Sequence, residues 1–265
     1  ASVVGSKEHL IIADQIASSS ITLVKDLKNQ IPIKLEQVNK MAHLILSTND
    51  NANEALKTIK SNINYTHGNV KNIFINYELS DLLIDDLIKQ LKQFDKIVIS
   101  TLVKISSMNK GQSTLNSSHL KLINNMSNNK LPFVVVSYGS PYLSDYSFID
   151  TYICSYGYGS VSQTAVANAI FGRRKIEGVL PINLNLKYKK GDGIKVGISS
   201  SIFENIDDIN FSSSWNIIED AINTELFPGA QALIIKDSKI IGEKYFGHLT
   251  FDSNSKKVNG NTIYD

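Results

Sequence analysis

The residues of this 265-residue chain that could do chemistry sit mainly in five short loops, each following a predicted strand. They are Asn49-Asp50, Tyr77-Glu78, Lys104, Tyr138-Gly139-Ser140 and Tyr156-Gly157. Such positions matter because open parallel sheets meet ligands beyond the carboxyl ends of their strands. Asp50 and Glu78 offer carboxylates, Lys104 an ammonium and Ser140 a hydroxyl. The rings of Tyr77, Tyr138 and Tyr156 suit stacking on a sugar or packing at a domain interface equally, and the interface is the favoured reading. Glu78 also lies just ahead of a helix capped by Ser80, where an anion steadies the first turn.

Other motifs carry less. Gly157-x-Gly159 links a strand to a helix, as in a dinucleotide fingerprint, but Ser162 stands where the third glycine belongs. Either a tight strand-to-helix turn or a nucleotide- or flavin-binding module fits it. Ser-x-x-Lys occurs at Ser107/Lys110, Ser118/Lys121, Ser127/Lys130 and Ser253/Lys256, and the abundance of both residue types explains all four. His9, His43, His67, His119 and His248 lack metal-ligand spacing, so no metal and no cofactor is expected. Cys154, the single cysteine, rules out an internal disulfide framework and reads as a core residue. Arg173 and Arg174 are the only arginines; they follow a helix, where cations are favoured, with an interdomain contact as the alternative.

The elements that must position these groups alternate strand and helix. Strands are predicted at Ile21–Val24, 42–46, 73–75, 97–99, Phe133–Val136 and 152–155. Helices are predicted over 7–17, 51–63, 80–91, 116–127 and 160–171. The apolar run Phe133–Val136 suits a strand buried on both faces. Ser160 with Gln163 reads as a capping box, and Ala165, Val166, Ala169 and Ile170 form that helix's apolar stripe. The alternation predicts an α/β fold: a doubly wound, mostly parallel sheet in a three-layer, flavodoxin-like sandwich. Residues 191–213 are polar and glycine- and serine-rich and read as a linker. A short α+β extension follows over 214–265, with a helical face of Trp215, Ile218, Ala221 and Ile222 and a hairpin turning at Asp237-Ser238. That stretch is too short for its own core, so it must lean on a neighbour, and a homodimer through it is one expectation.

The net charge of +2 and apolar content of 42% are those of an ordinary globular protein. They argue against a dedicated nucleic-acid surface, and no apolar run is long enough to span a membrane.

Two resemblances add to this. "SITLVKD", the Gly-Ser-Pro-Tyr turn, "TYICSYG", "SQTAVANAIFG" and "EGVLPINL" resemble the second domain of family 3 glycoside hydrolases, nearest the β-N-acetylglucosaminidase branch, over residues 1–190. "LFPGAQALIIKDSKIIGEKYFGHLTFD" with "NTIYD" is similar to the opening of the serine β-lactamase and penicillin-binding-protein-like hydrolases, over 214–265. The first implies a TIM barrel upstream that carries the main catalytic groups. The second implies that the rest of a β-lactamase-like domain, with its Ser-x-x-Lys nucleophile, lies downstream. In the glucosidase branch the second domain lends a glutamate from the loop after a central strand. Here that loop, VKISSMNKGQST, has no Asp or Glu, which fits the N-acetylglucosaminidase branch. The resemblance thus implies a non-catalytic accessory domain of a protein that hydrolyses N-acetylglucosamine linkages in cell-wall-type glycans, periplasmic or secreted.

Overall fold

A computed structural model describes residues 6–104, 115–198, 211–236, 239–252 and 254–263. The chain forms two compact bodies, residues 1–199 and 200–265.

In the first body a helix α1 (Lys7–Ser20) precedes strands β1 (Thr22–Asp26), β2 (Met41–Leu46), β3 (Val70–Ile75), β4 (Lys96–Val103), β5 (Phe133–Gly139) and β6 (Thr151–Tyr156). Helices α2 (Ala52–Ala55), α3 (Lys57–His67), α4 (Asp81–Leu91), α5 (Ser117–Asn128) and α6 (Ser160–Ile170) are interleaved. The strands form one sheet in the order β1-β6-β5-β4-β2-β3. Every pairing is parallel except β1 with β6. The parallel strands thus follow the flavodoxin-like order, with β1 added as an antiparallel edge.

Side-chain alternation divides the core between the two faces of the sheet. Leu44, Ile97, Ile99, Val135 and Tyr152 meet Ile84, Ile88, Leu122 and Ile123 of α4 and α5. Met41, Ile45, Val98, Val134 and Ile153 meet Ala17 of α1, Ile59 and Ile63 of α3, and Val166 and Ile170 of α6. Cys154 is buried in the first of these layers, and burial pushes its thiol up to about 12.

Two expectations change. Residues 51–63 do not form one helix: the chain breaks at Leu56 between α2 and α3. Ser160 and Gln163 form no capping box, because Gly159 is the N-cap and makes no side-chain bond. Gln163 is instead 2 % exposed and serves the break. Its Oε1 accepts the Ile59 N–H at 2.8 Å, and its Nε2 donates to the carbonyls of Ala55 and Tyr158, each at 2.7 Å. One buried amide therefore ends α2, starts α3 and holds the turn before α6, satisfying three backbone groups.

The two arginines act similarly at the far end of α6. Arg173 donates to Thr66 Oγ1 on α3 at 2.9 Å, while Arg174 reaches Asp14 and Ser18 on α1, each at 2.6 Å. Residues 187–198, polar in composition, return to the first body: Ile194 bridges Leu23, Val196 bridges Ile176, and Leu180 donates to the Asp192 carbonyl. Residues 199–210 lie outside the described set.

The second body contains α7 (Ser212–Asn223) and an antiparallel pair, β7 (Gly229–Lys236) and β8 (Lys239–Gly247). Trp215 on α7 packs near Phe246 on β8, with ring centroids 5.9 Å apart. Gly242 lies close under that helix, where a Cβ would come within 3.1 Å of Trp215 and 3.2 Å of Phe211. Asp237 and Ser238 lie outside the described residues.

Candidate functional site

The sheet order reverses direction between β2 and β4, and the carboxyl ends of the strands at such a switch point are where open α/β sheets meet ligands. Ser47, buried at the end of β2, donates to the Leu102 carbonyl at 2.6 Å and ties the two strand ends together. Its oxygen also accepts the Asn49 N–H. The Asn49 side chain then accepts from Asn51 N–H at 3.0 Å and shapes the entry to α2. Asp50 is exposed and accepts from Asn76 Nδ2 at 2.9 Å, joining the loops after β2 and β3.

The Tyr77-Glu78 loop is held from beneath by α5. His119 Nε2 lies 3.0 Å from the Tyr77 carbonyl, so the ring is the Nε2–H tautomer donating to it. Burial lowers the pKa of His119, opposed by the bond to Tyr77 and by Glu78. Ser118 Oγ accepts the Leu79 N–H at 3.0 Å, and Asn116 Nδ2 approaches Glu78 at 3.5 Å. These contacts leave the Tyr77 ring exposed above a fixed backbone. Beyond β4, the Lys104 ammonium sits 5.1 Å from the centroid of the Tyr158 ring. Residues 105–114, including Ser107 and Lys110, lie outside the described set.

At the end of β5, Gly139 takes φ +78° and lies against the Val103 carbonyl, leaving no room for a Cβ. The backbone then folds inward. Ser140 is buried, its N–H donates to Val103 at 2.9 Å and its carbonyl accepts from Ser137 Oγ at 2.9 Å. The hydroxyls of Tyr146 and Tyr152 both donate to the Pro141 carbonyl, at 2.9 and 2.6 Å. Lys25 adds its ammonium beneath, 6 % exposed, donating to the Tyr146 carbonyl at 3.1 Å. Burial lowers the pKa of Lys25, and Asp150 opposes that shift.

The proposed loop residues therefore divide. Asp50, Tyr77 and Glu78 are exposed on the rim, with Asn49 and Lys104 partly so. Tyr156 is half-buried, and its hydroxyl donates to Thr22 Oγ1 at 3.0 Å. Tyr138 is a correction: its ring is fully buried among the residues packed under α3 and α6. Period-2 alternation explains this, since the last strand residues still point alternately into the two layers. Ser140 is likewise turned inward.

On the α3 and α6 side of the sheet lies a row of polar groups that sequence reasoning passed over, with His43 and Ser100 buried and Asn72 partly so. Asn72, His43 and Ser100 lie on neighbouring strands. His43 Nδ1 is 3.3 Å from Asn72 Oδ1 and its Nε2 is 2.9 Å from Ser100 Oγ. Asn72 Nδ2 is committed to Asn64, so its oxygen faces the ring and His43 is the Nδ1–H tautomer, accepting from Ser100. Burial pulls the pKa of His43 down to about 4. Tyr138, next along the row, has its hydroxyl buried beside Ser100, and burial raises its pKa.

The Gly157 turn is used for packing. A Cβ at Gly157 would collide with Ser162 Oγ, and Gln163 occupies the Tyr158 carbonyl. Among the described residues no group of His, Cys, Asp or Glu is placed to hold a metal ion. None of their helices is long and apolar enough to cross a membrane.

The rim thus presents two amide-tethered carboxylates, a lysine over a tyrosine and an exposed tyrosine.

A doubly wound α/β domain with a polar, aromatic rim is the class that this fold and rim define. No family model matches the sequence, and no curated protein matches it. Solved structures do resemble it. A fungal multi-domain GH3 β-N-acetylglucosaminidase has TM-score 0.52 at 20% identity, over 89% of this chain and 29% of that one. The β-glucoside phosphorylase BglX has TM-score 0.54 at 22% identity, over 68% of this chain and 32% of that one. A β-glucosidase from Listeria innocua has TM-score 0.56 at 13% identity, over 68% and 28%. At these identities the likeness shows the fold. The chain spans about a quarter to a third of the length of these proteins.

Proposed function

We propose that residues 1–198 are the accessory α/β domain of a family 3 glycoside hydrolase of the β-N-acetylglucosaminidase type, and that they hold a catalytic barrel in place. On this reading the parent protein hydrolyses terminal β-linked N-acetylglucosamine in cell-wall-type glycans with retention, in the periplasm or outside the cell. Residues 214–265 open a β-lactamase-like domain of the same polypeptide. The rim residues Asn49, Asp50, Tyr77, Glu78 and Lys104 face the barrel or its glycan, and Tyr156 supports them.

One observation supports the docking role above the others. Helix α1 turns Ala13 and Ala17 toward the first body, yet Leu10, Ile11, Ile12 and Ile16 are each more than half exposed, Ile16 at 65 %. Ile12 and Ile16 lie one turn apart on the same face of α1, and uncovered aliphatic side chains grouped in this way mark an interaction surface. A cleft of about 490 Å³ opens beside it, lined by Gln15, Ser19, Arg174, Glu177 and Ile198. The exposed Ile198 extends the apolar surface there.

The test has two arms. A chromogenic N-acetylglucosaminide assay on this chain should show no turnover; turnover that disappears in Glu78→Gln overturns the accessory reading. In a polypeptide carrying both barrel and domain, Ile12→Asp with Ile16→Asp should release the domain to limited proteolysis. Unchanged digestion overturns docking through α1.

A further inference from the structure

We propose that a pocket at the amino ends of β2 and β4 binds a phosphate group, free or carried on a small sugar, with Lys34 and Lys96 as its cationic ligands. The inference stands apart from the proposed function. The rim lies at the carboxyl ends of the same strands, a strand length away, roughly 20 Å at about 3.3 Å per residue.

Three observations carry it. The first is the cavity. About 300 Å³ lies between the loop that follows β1 and the start of β4, with walls drawn from residues 28–38 and 95–96 of the first body. That is the size of a small-molecule site at the lower end of the usual range.

The second is the way Lys96 is held there. Its side chain is partly buried, and its ammonium donates to Gln30 Oε1 at 2.8 Å. Gln30 is itself fixed, since its Nε2 donates to the Phe133 carbonyl at 3.1 Å and to Thr151 Oγ1 at 2.9 Å. Behind them Asp26 accepts the Gln30 and Ile31 N–H groups and the Thr151 hydroxyl, at 2.9, 3.1 and 2.8 Å. The ammonium is therefore aimed by a chain of side chains, and two of its three donors remain for a ligand. Burial lowers the pKa of Lys96, and Asp26 opposes that shift. An anion at the ammonium would favour its charged form further.

The third is the charge around the pocket. Lys28 is spent on Asp150, at 2.6 Å. Among the described residues neither Lys34 nor Lys96 forms an ion pair. The carboxylate in the wall, Asp95, accepts the Asn39 and Lys40 N–H groups on one oxygen, each at 2.9 Å, and these bonds lower its pKa. Two uncommitted ammonium groups match a phosphate monoester, which carries about −1.5 to −2 near pH 7. The amides of Asn29 and Gln37 also line the pocket, and each can donate to and accept from a sugar hydroxyl.

Calorimetric titration of the full chain at low ionic strength tests this with three probes: inorganic phosphate, glucose 6-phosphate and glucose. Both phosphates should saturate one site with Kd below about 1 mM, and glucose should not bind. Tighter binding of the ester assigns the ligand to sugar phosphates; equal affinity assigns it to the free anion. Lys96→Met keeps the stem, removes the charge and should weaken both phosphates at least ~10-fold. Lys57→Gln, on α3 at the rim end, makes the same change in net charge and should leave both unmoved. The proposal is overturned by the absence of saturable phosphate binding, by glucose binding as well as its ester, or by an affinity that Lys96→Met leaves unchanged or Lys57→Gln lowers equally. If Lys96→Met fails to fold, the exposed Lys34→Gln decides, and unchanged affinity there overturns it too.

Discussion

The two bodies solve the problem of burying apolar surface in different ways. In the first, a sheet is covered on both faces, and its strands carry fully buried side chains in both layers, Leu44, Ile99 and Val135 on one and Met41, Val98 and Val134 on the other. In the second, one helix covers one face of a hairpin, and among the described residues only Gly242, Phe246 and Val258 are buried. The contrast teaches that chain length is a poor guide to independence. A layer becomes stable when its other side is occupied, and in the second body Leu233 and Ile235, on the side away from α7, stay more than half exposed. They are the counterpart of side chains that, in the first body, meet α4 or α6.

Four measurements can break or sharpen that contrast. The largest effect should appear in native-state hydrogen exchange. Amides of β4 and β5 should open only with global unfolding, whereas those of β7 and β8 should open at a free energy lower by at least about 3 kcal/mol. Equal protection would mean the second body has a core of its own.

Next comes Gln163→Leu, which keeps the volume but strands the Ile59 N–H and the Ala55 and Tyr158 carbonyls. At roughly 1–3 kcal/mol for each unsatisfied group, urea unfolding of the first body should lose about 3 kcal/mol or more. A loss below about 1 kcal/mol would show that water or backbone movement replaces the amide.

The third measurement is acid sensitivity. His43 is held neutral, with its pKa depressed to about 4 against about 6.5 in an unfolded chain. The unfolded state therefore binds the extra proton. The stabilisation is fully present above about pH 6.5 and is lost as the pH falls through about 4, about 3 kcal/mol in all. In His43→Leu the pH slope in that window should flatten, while stability at pH 7 falls because Ser100 and Asn72 lose a partner. An unchanged slope would place the titration elsewhere.

The smallest effect belongs to the second body. Glu219→Ala removes an exposed ion pair with Lys244 at 2.7 Å. It should change stability by no more than about 0.5 kcal/mol, measured by thermal unfolding.

The sheet was legible in advance because its strands are short apolar runs with stops between them. Phe133–Val136 and the segment around Tyr152 need no partner to be recognised. The break at Leu56 was not legible. Residues 51–63 have helical composition throughout, and the group that divides them, Gln163, lies more than a hundred residues away. Separation along the chain also hid the roles of His43, whose partners lie 29 and 57 residues away, and of Lys25, whose partner lies 121 residues away. One reads as an isolated histidine and the other as part of a strand phrase, until neighbouring strands bring Asn72, Ser100 and the Tyr146 carbonyl against them. The inward turn of Ser140 was likewise hidden, because it depends on Gly139 lying against the Val103 carbonyl of the next strand.

By itself the order of residues determined the periodicities, the helix starts, the doubly wound class and the polar loops at the strand ends, since each arises from neighbours along the chain. Tertiary structure alone decided which of those loops face outward, which buried donors and acceptors meet, and which apolar faces remain uncovered. The physical reason is that a buried polar group must find a partner wherever packing supplies one. That partner is fixed by how layers stack rather than by anything adjacent in sequence.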